Sequence, residues 1–289
     1  MQFEFTNNNY DLLHGAMGYG FYFLKRYVSP LTSDANKRTY QGFLESLLNS
    51  LETMAIKDGE GLKWESVINH EEGTKGFNLS LSHGMSSIIY LLSKMHFNGI
   101  AKDRIAILIE GASNYIQSFE TKEKKGRSLY PSWIEPNQVI EYQGRLAWCY
   151  GDIGVGKAME WAGKVLEDEL LINKAQNILL DTSKRKSSKE TVVIDAGYCH
   201  GSFGNAHIFH QLWRRNKRKD FYEAAKFWME DGFLKHSKDN EQPFLQWNGV
   251  KKSWRFESNL LEGISGIGLA MIDYLSENEN TWDECLMLR

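Results

Sequence analysis

The sequence predicts an all-α fold, an α/α toroid (barrel) of helical hairpins. Three observations predict it: a glycine turn recurs along the chain, stretches that are apolar all round alternate with amphipathic ones, and only four prolines occur among 289 residues. None of these prolines falls inside a proposed helix, where proline would remove a backbone hydrogen bond. The length is ample for one large domain with a full core, and we expect residues 1–289 to form a single domain.

The glycine turns have the pattern X-Gly-X-X-Gly, and each precedes an apolar stretch with helical spacing. Successive first glycines are 50 to 69 residues apart, which suits one helical hairpin plus a loop. Because glycine permits a sharp turn, we expect each turn at the N-terminus of an inner helix. One turn has Ser87 in place of its second glycine. The first glycines of the five turns are Gly15, Gly84, Gly151, Gly201 and Gly263.

The helices themselves follow from hydrophobic patterning. The stretch 88–92 after the second turn is apolar on every side, which predicts a buried helix. Amphipathic stretches lie between the turns and predict outer helices that expose one charged side. These stretches are 39–54, 104–119, 174–180 and 221–233.

The connecting segments are long and aromatic. Segments 59–77, 128–144 and 242–257 are rich in Gly, Trp, Tyr and Pro. Loops of this kind carry binding sites or fold over the ends of the core, and the sequence favours neither reading. Segment 183–189 contains only Ser, Lys and Arg and predicts a solvated loop.

Composition excludes several classes of protein. The 34 basic and 37 acidic side chains nearly balance, which argues against a nucleic-acid-binding protein. No apolar run approaches the roughly 18 residues of a transmembrane segment, and the first residues lack the features of a signal peptide. Three cysteines cannot form a closed set of disulfides, so we expect a cytoplasmic protein in a reducing compartment.

Chemistry is concentrated where helices begin. Glycine turns bring free N–H groups toward the toroid centre, and the residue before each first glycine is presented there. We therefore expect five polar side chains to converge. They are His14, His83, Tyr150, His200 and Glu262.

Two of the turns add a cysteine at the same repeat position. Cys149 and Cys199 each stand two residues before a first glycine, and His200 follows Cys199. Two thiolates and one imidazole suit Zn²⁺ and leave a fourth position open, as in catalytic zinc sites. Buried cysteines can also act as small apolar residues, but the repeat equivalence favours a metal site. Cys285 lacks this context and is expected to be structural.

Two further histidines follow the proposed ligand His200 on the same predicted helix. His207 and His210 stand seven and ten residues after it. These offsets carry them two to three helical turns away, so we expect ordinary helical histidines.

Taken together, these motifs resemble the lanthionine synthetase C-like family. The resemblance rests on Trp148-Cys149-Tyr150-Gly151, on Cys199-His200-Gly201 and on the recurring turns, and it covers nearly the whole chain. It implies an α/α toroid around zinc held by Cys149, Cys199 and His200. It also implies a catalytic set that matches His83, Arg145, Asp11 and Tyr150.

The family resemblance also implies an activity. Such cyclases add cysteine thiolates to dehydroalanine or dehydrobutyrine and form the (methyl)lanthionine rings of a lanthipeptide, an antibiotic class of peptide. The implied partners are a dehydrated precursor peptide and a complex with a dehydratase and a transporter. Members of the family have seven hairpins, so with five turns we expect about two N-terminal hairpins to be lacking.

The implied reaction suggests a role for three of these four residues. His83 is the expected proton carrier, because the unperturbed pKa of histidine lies nearest neutrality. Arg145 would orient substrate or stabilise an enolate, and Asp11 would orient a partner or handle a proton. A structural ion pair or cap is the alternative for these two residues.

Other functions remain open at the level of sequence. A relative that joins glutathione to dehydroamino acids would share all of these motifs. A non-catalytic, zinc-stabilised scaffold that binds peptides would keep the metal and tolerate replacement of His83. A prenyltransferase-like enzyme would need an aspartate ligand and an aromatic tunnel, for which the sequence shows no second signature.

Overall fold

The computed structural model describes residues 9–69, 71–121, 123, 126–238 and 241–289. The extreme N-terminal segment, in which the sequence predicts no signal peptide, lies outside these residues. Among the described residues, every helix is too short or too polar to span a membrane. The chain divides into two compact units: unit 1 comprises Met1–Gln143 and Gly154–Gln176, and unit 2 comprises Gly144–Ile153 and Asn177–Arg289.

Unit 1 contains two helical hairpins and small antiparallel sheets. Helix α1 packs on α2, and α3 packs on α4. Strand β1 pairs with β2, while β3, β4 and β5 form a three-stranded sheet in that order. The elements are α1 (Ala16–Val28), α2 (Asp34–Met54), β1 (Ile56–Asp58), β2 (Gly61–Lys63), β3 (Ser66–Asn69), β4 (Thr74–Asn78), α3 (Met85–Phe97), α4 (Lys102–Gln117) and β5 (Trp133–Ile134).

Unit 2 is built around a third hairpin, in which α8 packs on α9 and also on α10. Strands β6 and β7 form an antiparallel hairpin with Trp247 opposite Trp254. Helices α5 and α6 have residues in both units. The elements from α5 onward are α5 (Asp152–Leu166), α6 (Glu169–Lys184), α7 (Ser188–Thr191), α8 (Ser202–Asn216), α9 (Lys219–Leu234), β6 (Leu245–Asn248), β7 (Ser253–Phe256), α10 (Ile264–Leu275) and a 3₁₀ helix (Trp282–Leu286).

The fold is mostly helical, but all-α is too narrow a description. The aromatic segments 59–77, 128–144 and 242–257 contain strands β2 to β7 rather than unstructured loops. Alternating aromatic and polar residues fit a pleated, half-buried ribbon, and this short-range pattern outweighs the helical character of the flanking chain.

The predicted solvated loop at 183–189 is correct only in part: residues 184 and 186–189 are exposed, but most of the segment belongs to helices. Its first two residues end α6, and Ser187 opens α7 with a capping box completed by Glu190. Arg185 is buried, and its guanidinium contacts the carboxylates of Asp152 and Asp181. Arg185, which the sequence predicts to face water, is therefore held by two acidic partners.

Each glycine turn leads directly into a helix: α1, α3, α5, α8 and α10 begin one residue after a first glycine. Glycine offers no capping side chain, and backbone carbonyls take that role. The N–H of Ala16 donates to the carbonyl of Asn9 at 3.0 Å, and the N–H of Ser202 donates to that of Asp195 at 3.1 Å. The chain before α1 and α8 thus satisfies a donor that would otherwise lack a partner.

Tight backbone packing explains two of the glycines. A Cβ atom on Gly204 would lie 1.7 Å from the carbonyl oxygen of Tyr198. Gly151 has φ +99°, in the region that side chains disfavour. On α3, Ile88, Ile89 and Leu91 are fully buried, which confirms the burial predicted for stretch 88–92.

Neighbouring turns within a unit are joined by a recurring backbone hydrogen bond. The donor is the N–H of the residue three positions before the first glycine of one turn. The acceptor is the carbonyl of the residue two positions before the first glycine of the next turn. In unit 1, Leu12 donates to Ser82 at 3.3 Å. In unit 2, Trp148 donates to Cys199 and Tyr198 donates to Leu261, both at 3.0 Å. This ladder of turn-to-turn bonds, the turn ladder, fixes which residues of adjacent turns lie side by side.

Candidate metal centre and acid–base cluster

The proposed metal ligands lie together in unit 2. One ligand atom from each of Cys149, Cys199 and His200 lies within 4.8 Å of the other two. The turn ladder produces this contact, because the Trp148 N–H bonds to the Cys199 carbonyl and so aligns the two cysteines. Cys149 is buried and the other two residues are half-buried. We call these three residues the thiol cluster.

The two thiols are not equivalent. The Cys199 thiol donates a hydrogen bond to the Cys149 sulfur, and together with His200 it holds the pKa of Cys149 well below its usual range despite burial. The pKa of Cys199 is raised by that same bond and by burial. Burial works to lower the pKa of His200, but the Cys149 thiolate and Asp195 outweigh it and the pKa is raised.

This donor set fits a zinc ion. Two sulfurs and one ring nitrogen are the ligand types that Zn²⁺ prefers, and a set of three leaves room for a fourth ligand. Their mutual distances allow one ion to reach all three atoms. The negative charge already favoured on Cys149 is what a cation would neutralise.

Asp195 connects the thiol cluster to the β6–β7 hairpin. Its buried carboxylate accepts from the N–H of Gly197 at 3.0 Å and from the N–H of Trp247 at 3.1 Å. One of its oxygens lies 3.7 Å from Nε2 of His200. Asp195 was not among the site residues predicted from the sequence, although it stands six residues before Gly201, as Arg145 stands six before Gly151.

A cavity of about 310 Å³ opens on His200. Arg145, Trp247, Arg255 and Glu262 line it. Arg145 lies near enough for its charge to favour the thiolate forms of both cysteines. Arg255 is held by Glu257 at 3.0 Å and by Glu262 at 3.1 Å. Cations and aromatic surface therefore border the thiol cluster on its open side.

The remaining predicted catalytic pair lies in unit 1. Nδ1 of His83 contacts Oδ2 of Asp11. The other oxygen of Asp11 accepts from the N–H groups of Leu13 at 2.6 Å and His14 at 2.8 Å. Burial raises the pKa of Asp11, but the bonds and charge from His83 and the two N–H groups outweigh it and the pKa is lowered.

His14 completes this second group. Its ring is stacked on that of His83, with centroids 6.0 Å apart and planes 3° from parallel. Its Nδ1 lies 3.6 Å from Oδ1 of Asp11. Asp11, His14 and His83 form what we call the acid–base cluster, in which each contributes a ligand atom within 4.8 Å of the others.

Two of the five residues that precede a first glycine belong to unit 1, and the other three belong to unit 2. His14 and His83 are stacked in unit 1. In unit 2, His200 and Glu262 line the same cavity, and Tyr150 is half-buried beside Cys149.

Cys285, His207 and His210 belong to neither of these two groups of potential ligands. Cys285 is exposed and donates to the carbonyl of Trp282 at 3.3 Å. His207 is buried, with its nitrogens 3.0 Å from Asp283 and 3.4 Å from Asp273. His210 packs on Tyr274 and Trp213. His207 is therefore a satisfied helical histidine, as the sequence predicts. His210 also lies on α8, but its buried Nδ1 has no hydrogen-bond partner among the described residues.

Comparisons with known proteins identify the family of the chain. Residues 2–287 match the family described as lanthionine synthetase C-like protein. The nisin biosynthesis protein NisC of Lactococcus lactis subsp. lactis is 25% identical over 293 aligned residues, which cover 98% of this chain and 65% of NisC. The chain therefore spans somewhat less than two thirds of the length of that relative.

Solved structures support the same fold. A structure described as nisin cyclase superposes with a TM-score of 0.68 at 22% identity, over 97% of this chain and 67% of that one. A D-mannose isomerase matches more weakly, with a TM-score of 0.52 at 13% identity, over 78% of this chain and 61% of that one. Because the family match extends over nearly all of its residues, the chain belongs to the lanthionine synthetase C-like family.

Proposed function

We propose that this protein is a zinc-dependent peptide cyclase that forms lanthionine or methyllanthionine rings in a dehydrated precursor peptide. The observation that carries the proposal is the thiol cluster of Cys149, Cys199 and His200 in a member of this family. We further propose that residues 1–289 act as one domain whose hairpins close an α/α toroid, with the glycine turns at the N-termini of its inner helices.

The thiol cluster is the proposed site of nucleophile activation. When bound, Zn²⁺ would lower the pKa of a substrate cysteine, usually about 8.5, and hold the sulfur as a thiolate near neutral pH. Cys149, Cys199 and His200 would supply three ligands. Asp195 keeps the His200 ring in place, and the cavity lined by Trp247 gives the peptide access.

The ring closes by addition of sulfur to a double bond. The substrate thiolate forms a bond to the β-carbon of dehydroalanine or dehydrobutyrine, and the displaced electron pair moves to the carbonyl oxygen as an enolate. Protonation at the α-carbon completes the thioether. Arg145 is the proposed stabiliser of the enolate charge, and Tyr150 is proposed to help orient the peptide.

His83 is the proposed proton donor. Its Nδ1 is engaged by Asp11, which orients the ring. We assign the proton exchange to Nε2, the other ring nitrogen. Asp11 is a positioning residue in this scheme, because its second oxygen is occupied by backbone N–H groups.

Partners and location follow from the same proposal. The names nisin cyclase and nisin biosynthesis protein support a precursor peptide of the lanthipeptide class as the substrate. A dehydratase must supply the dehydroamino acids, and we propose that this enzyme and a transporter form a complex with the cyclase. The cysteines are free, which fits the reducing cytoplasm.

The first test separates metal binding from catalysis. We expect His83→Ala to slow cyclisation of a dehydrated, cysteine-containing peptide by about 10²- to 10⁴-fold, the usual contribution of a general acid. Zinc content should stay near one ion per chain. Free thiols and peptide mass are measured together with metal analysis.

The controls identify the alternatives. Cys199→Ala should lose both zinc and activity, while Cys285→Ala should keep both. Undiminished cyclisation by His83→Ala would refute the acid–base assignment. Transfer of added glutathione without ring formation would indicate the glutathione-adding activity, and zinc without any turnover would indicate a peptide-binding scaffold.

A further inference from the structure

We propose that the acid–base cluster, Asp11, His14 and His83, is a second and weaker site for a divalent transition-metal ion such as Zn²⁺, and that its occupation inhibits the enzyme. The inhibitory part rests on the proposed function, whereas binding of the second ion does not. Among the described residues, the thiol cluster and the acid–base cluster are the two groups of three potential ligands whose donor atoms lie this close together.

The distances suit a single ion. Zinc bonds to nitrogen and oxygen of about 2.0–2.2 Å place tetrahedral ligand atoms about 3.3–3.6 Å apart. Nδ1 of His14 and Oδ1 of Asp11 are 3.6 Å apart, and the His83 ring already touches the other oxygen of the same carboxylate. Small side-chain adjustments would therefore bring all three donors onto one cation.

Much of the site is ordered before any ion arrives. Two backbone N–H groups hold the Asp11 carboxylate, and the Leu12–Ser82 bond of the turn ladder holds the two turns together. The parallel stacking of the two imidazoles sets them side by side. A site that is already organised loses less conformational entropy when it binds.

The ligand chemistry indicates the class of ion. Two imidazoles and one carboxylate form the set found in many catalytic zinc sites, and imidazole also suits copper, nickel and iron. The side chain of His14 is 74% exposed, so an ion can enter from solvent and keep water as its remaining ligands.

Affinity should be lower here than at the thiol cluster. The set has no thiolate, and binding must break the Asp11–His83 contact. The second ion should therefore bind only at zinc concentrations well above those that fill the first site.

Occupation would remove the proton carrier. An ion held by His83 and Asp11 takes the ring and the carboxylate that we assign to protonation of the enolate. Excess zinc should then inhibit cyclisation, even though one zinc ion is required for it. We assign His14 no step in the proposed reaction. Replacing it therefore tests inhibition by the second ion separately from the requirement for the first.

The binding test counts ions. In equilibrium dialysis against increasing Zn²⁺, the wild-type protein should approach two ions per chain and His14→Ala should stop at one. His236→Ala, which alters a histidine outside both clusters, should behave as wild type. Cys199→Ala should lose the tight ion and keep the weak one. With Co²⁺, the weak site should lack the sulfur-to-metal charge-transfer absorption of the tight site.

The kinetic test measures inhibition. Cyclisation by the wild type should fall as free Zn²⁺ rises beyond one equivalent. His14→Ala, with each rate expressed relative to its own rate without excess zinc, should resist inhibition by at least tenfold in zinc concentration. Zinc taken up by the peptide thiol affects both proteins equally and cancels in the comparison.

Two results would overturn the proposal: a second ion retained by His14→Ala, or an unchanged inhibition midpoint in that variant. If the chain proves to have no cyclase activity, the ion count still decides whether the second site exists. Failure of the function and failure of the site are therefore distinguishable.

Discussion

Cys149 and Cys199 occupy the same position in successive glycine turns, two residues before the first glycine, yet their thiols differ in acidity. The Cys149 sulfur accepts a hydrogen bond from Cys199, so one sulfur is favoured as thiolate and the other as thiol. Repeat equivalence in the sequence predicts that both cysteines serve one site. It carries no information about which of them holds the negative charge, because that depends on burial and on the direction of one hydrogen bond.

Asp195 provides a prediction at this scale. We expect Asp195→Asn to weaken zinc binding by about 10- to 100-fold, the usual effect of losing the carboxylate that supports a histidine ligand. The reason is that Asp195 lies 3.7 Å from Nε2 of His200. Competition with a chromophoric chelator measures the change.

Asp231 offers a matched control for this experiment. It accepts from Ser202 at 2.6 Å and from Lys235 at 2.6 Å, so it supports the start of the same helix without lying beside His200. Asp231→Asn should keep the zinc affinity of the wild type. Equal affinities in the two variants would show that Asp195 has no special role.

At the scale of elements, the helices were predictable and the strands were not. The turns at Gly15 and Gly201 stand directly before α1 and α8, because glycine is the residue that allows so tight an approach of backbone. The start of α2 at Asp34 lies five residues before the predicted stretch 39–54, since Ser33 caps a polar first turn that hydrophobic spacing does not reveal. The strands could not be predicted, because each has at most five residues and so shows too little alternation.

The second glycine of a turn can be tested by adding one methyl group. Gly204→Ala would place a Cβ atom 1.7 Å from the carbonyl oxygen of Tyr198. Backbone cannot move aside as a side chain does, so we expect a loss of about 1–3 kcal/mol in the free energy of unfolding. Denaturant unfolding measures it.

Gly268 is the matched control, because it lies in α10 with open space around its Cβ position. Gly268→Ala should be neutral or stabilise by up to about 1 kcal/mol, since alanine is the better helix former. If both substitutions had the same effect, close approach of the chain at residue 204 would be refuted.

At the scale of the whole molecule, each unit contains one of the two clusters. The sequence predicted the members of both from the repeat and the family resemblance. It did not predict a buried network in unit 2 that ties the last residues to the core. Arg289 donates to Asp283 at 2.6 Å, and Asp283 also contacts His207 on α8. His207 and Asp283 are 76 residues apart in the sequence, and Arg289 is the last residue. No periodic pattern in the sequence connects residues at these positions.

This network gives the stability of the protein a dependence on pH. Burial raises the pKa of Asp283, but His207 and Arg289 outweigh it, and the folded-state pKa lies below the ordinary value of 3.8. The stabilisation is therefore fully present above about pH 4 and is lost as the pH falls through the folded-state pKa. Asp283→Asn should lower the free energy of unfolding at pH 7 by about 1–3 kcal/mol.

Urea unfolding at a series of pH values tests this prediction. The difference between wild type and Asp283→Asn should shrink as the pH falls below 4, because the wild-type carboxylate is then lost as well. Asp220 is a suitable control, since it is exposed and pairs with Arg218 at the surface. A constant difference at every pH would exclude the carboxylate as the source of the effect.

The turn ladder has a wider consequence for how such a chain can change. Its bonds join main-chain atoms only, so the acceptor position tolerates different side chains: Ser82, Cys199 and Leu261 all stand there. The donor position is more restricted, because its residues, such as Trp148 and Tyr198, are buried in the core. New reactive groups can therefore be exchanged at one repeat after another while the frame stays intact. Such a fold can therefore acquire a new reaction by substitution at these positions, without any change in how its backbone is held together.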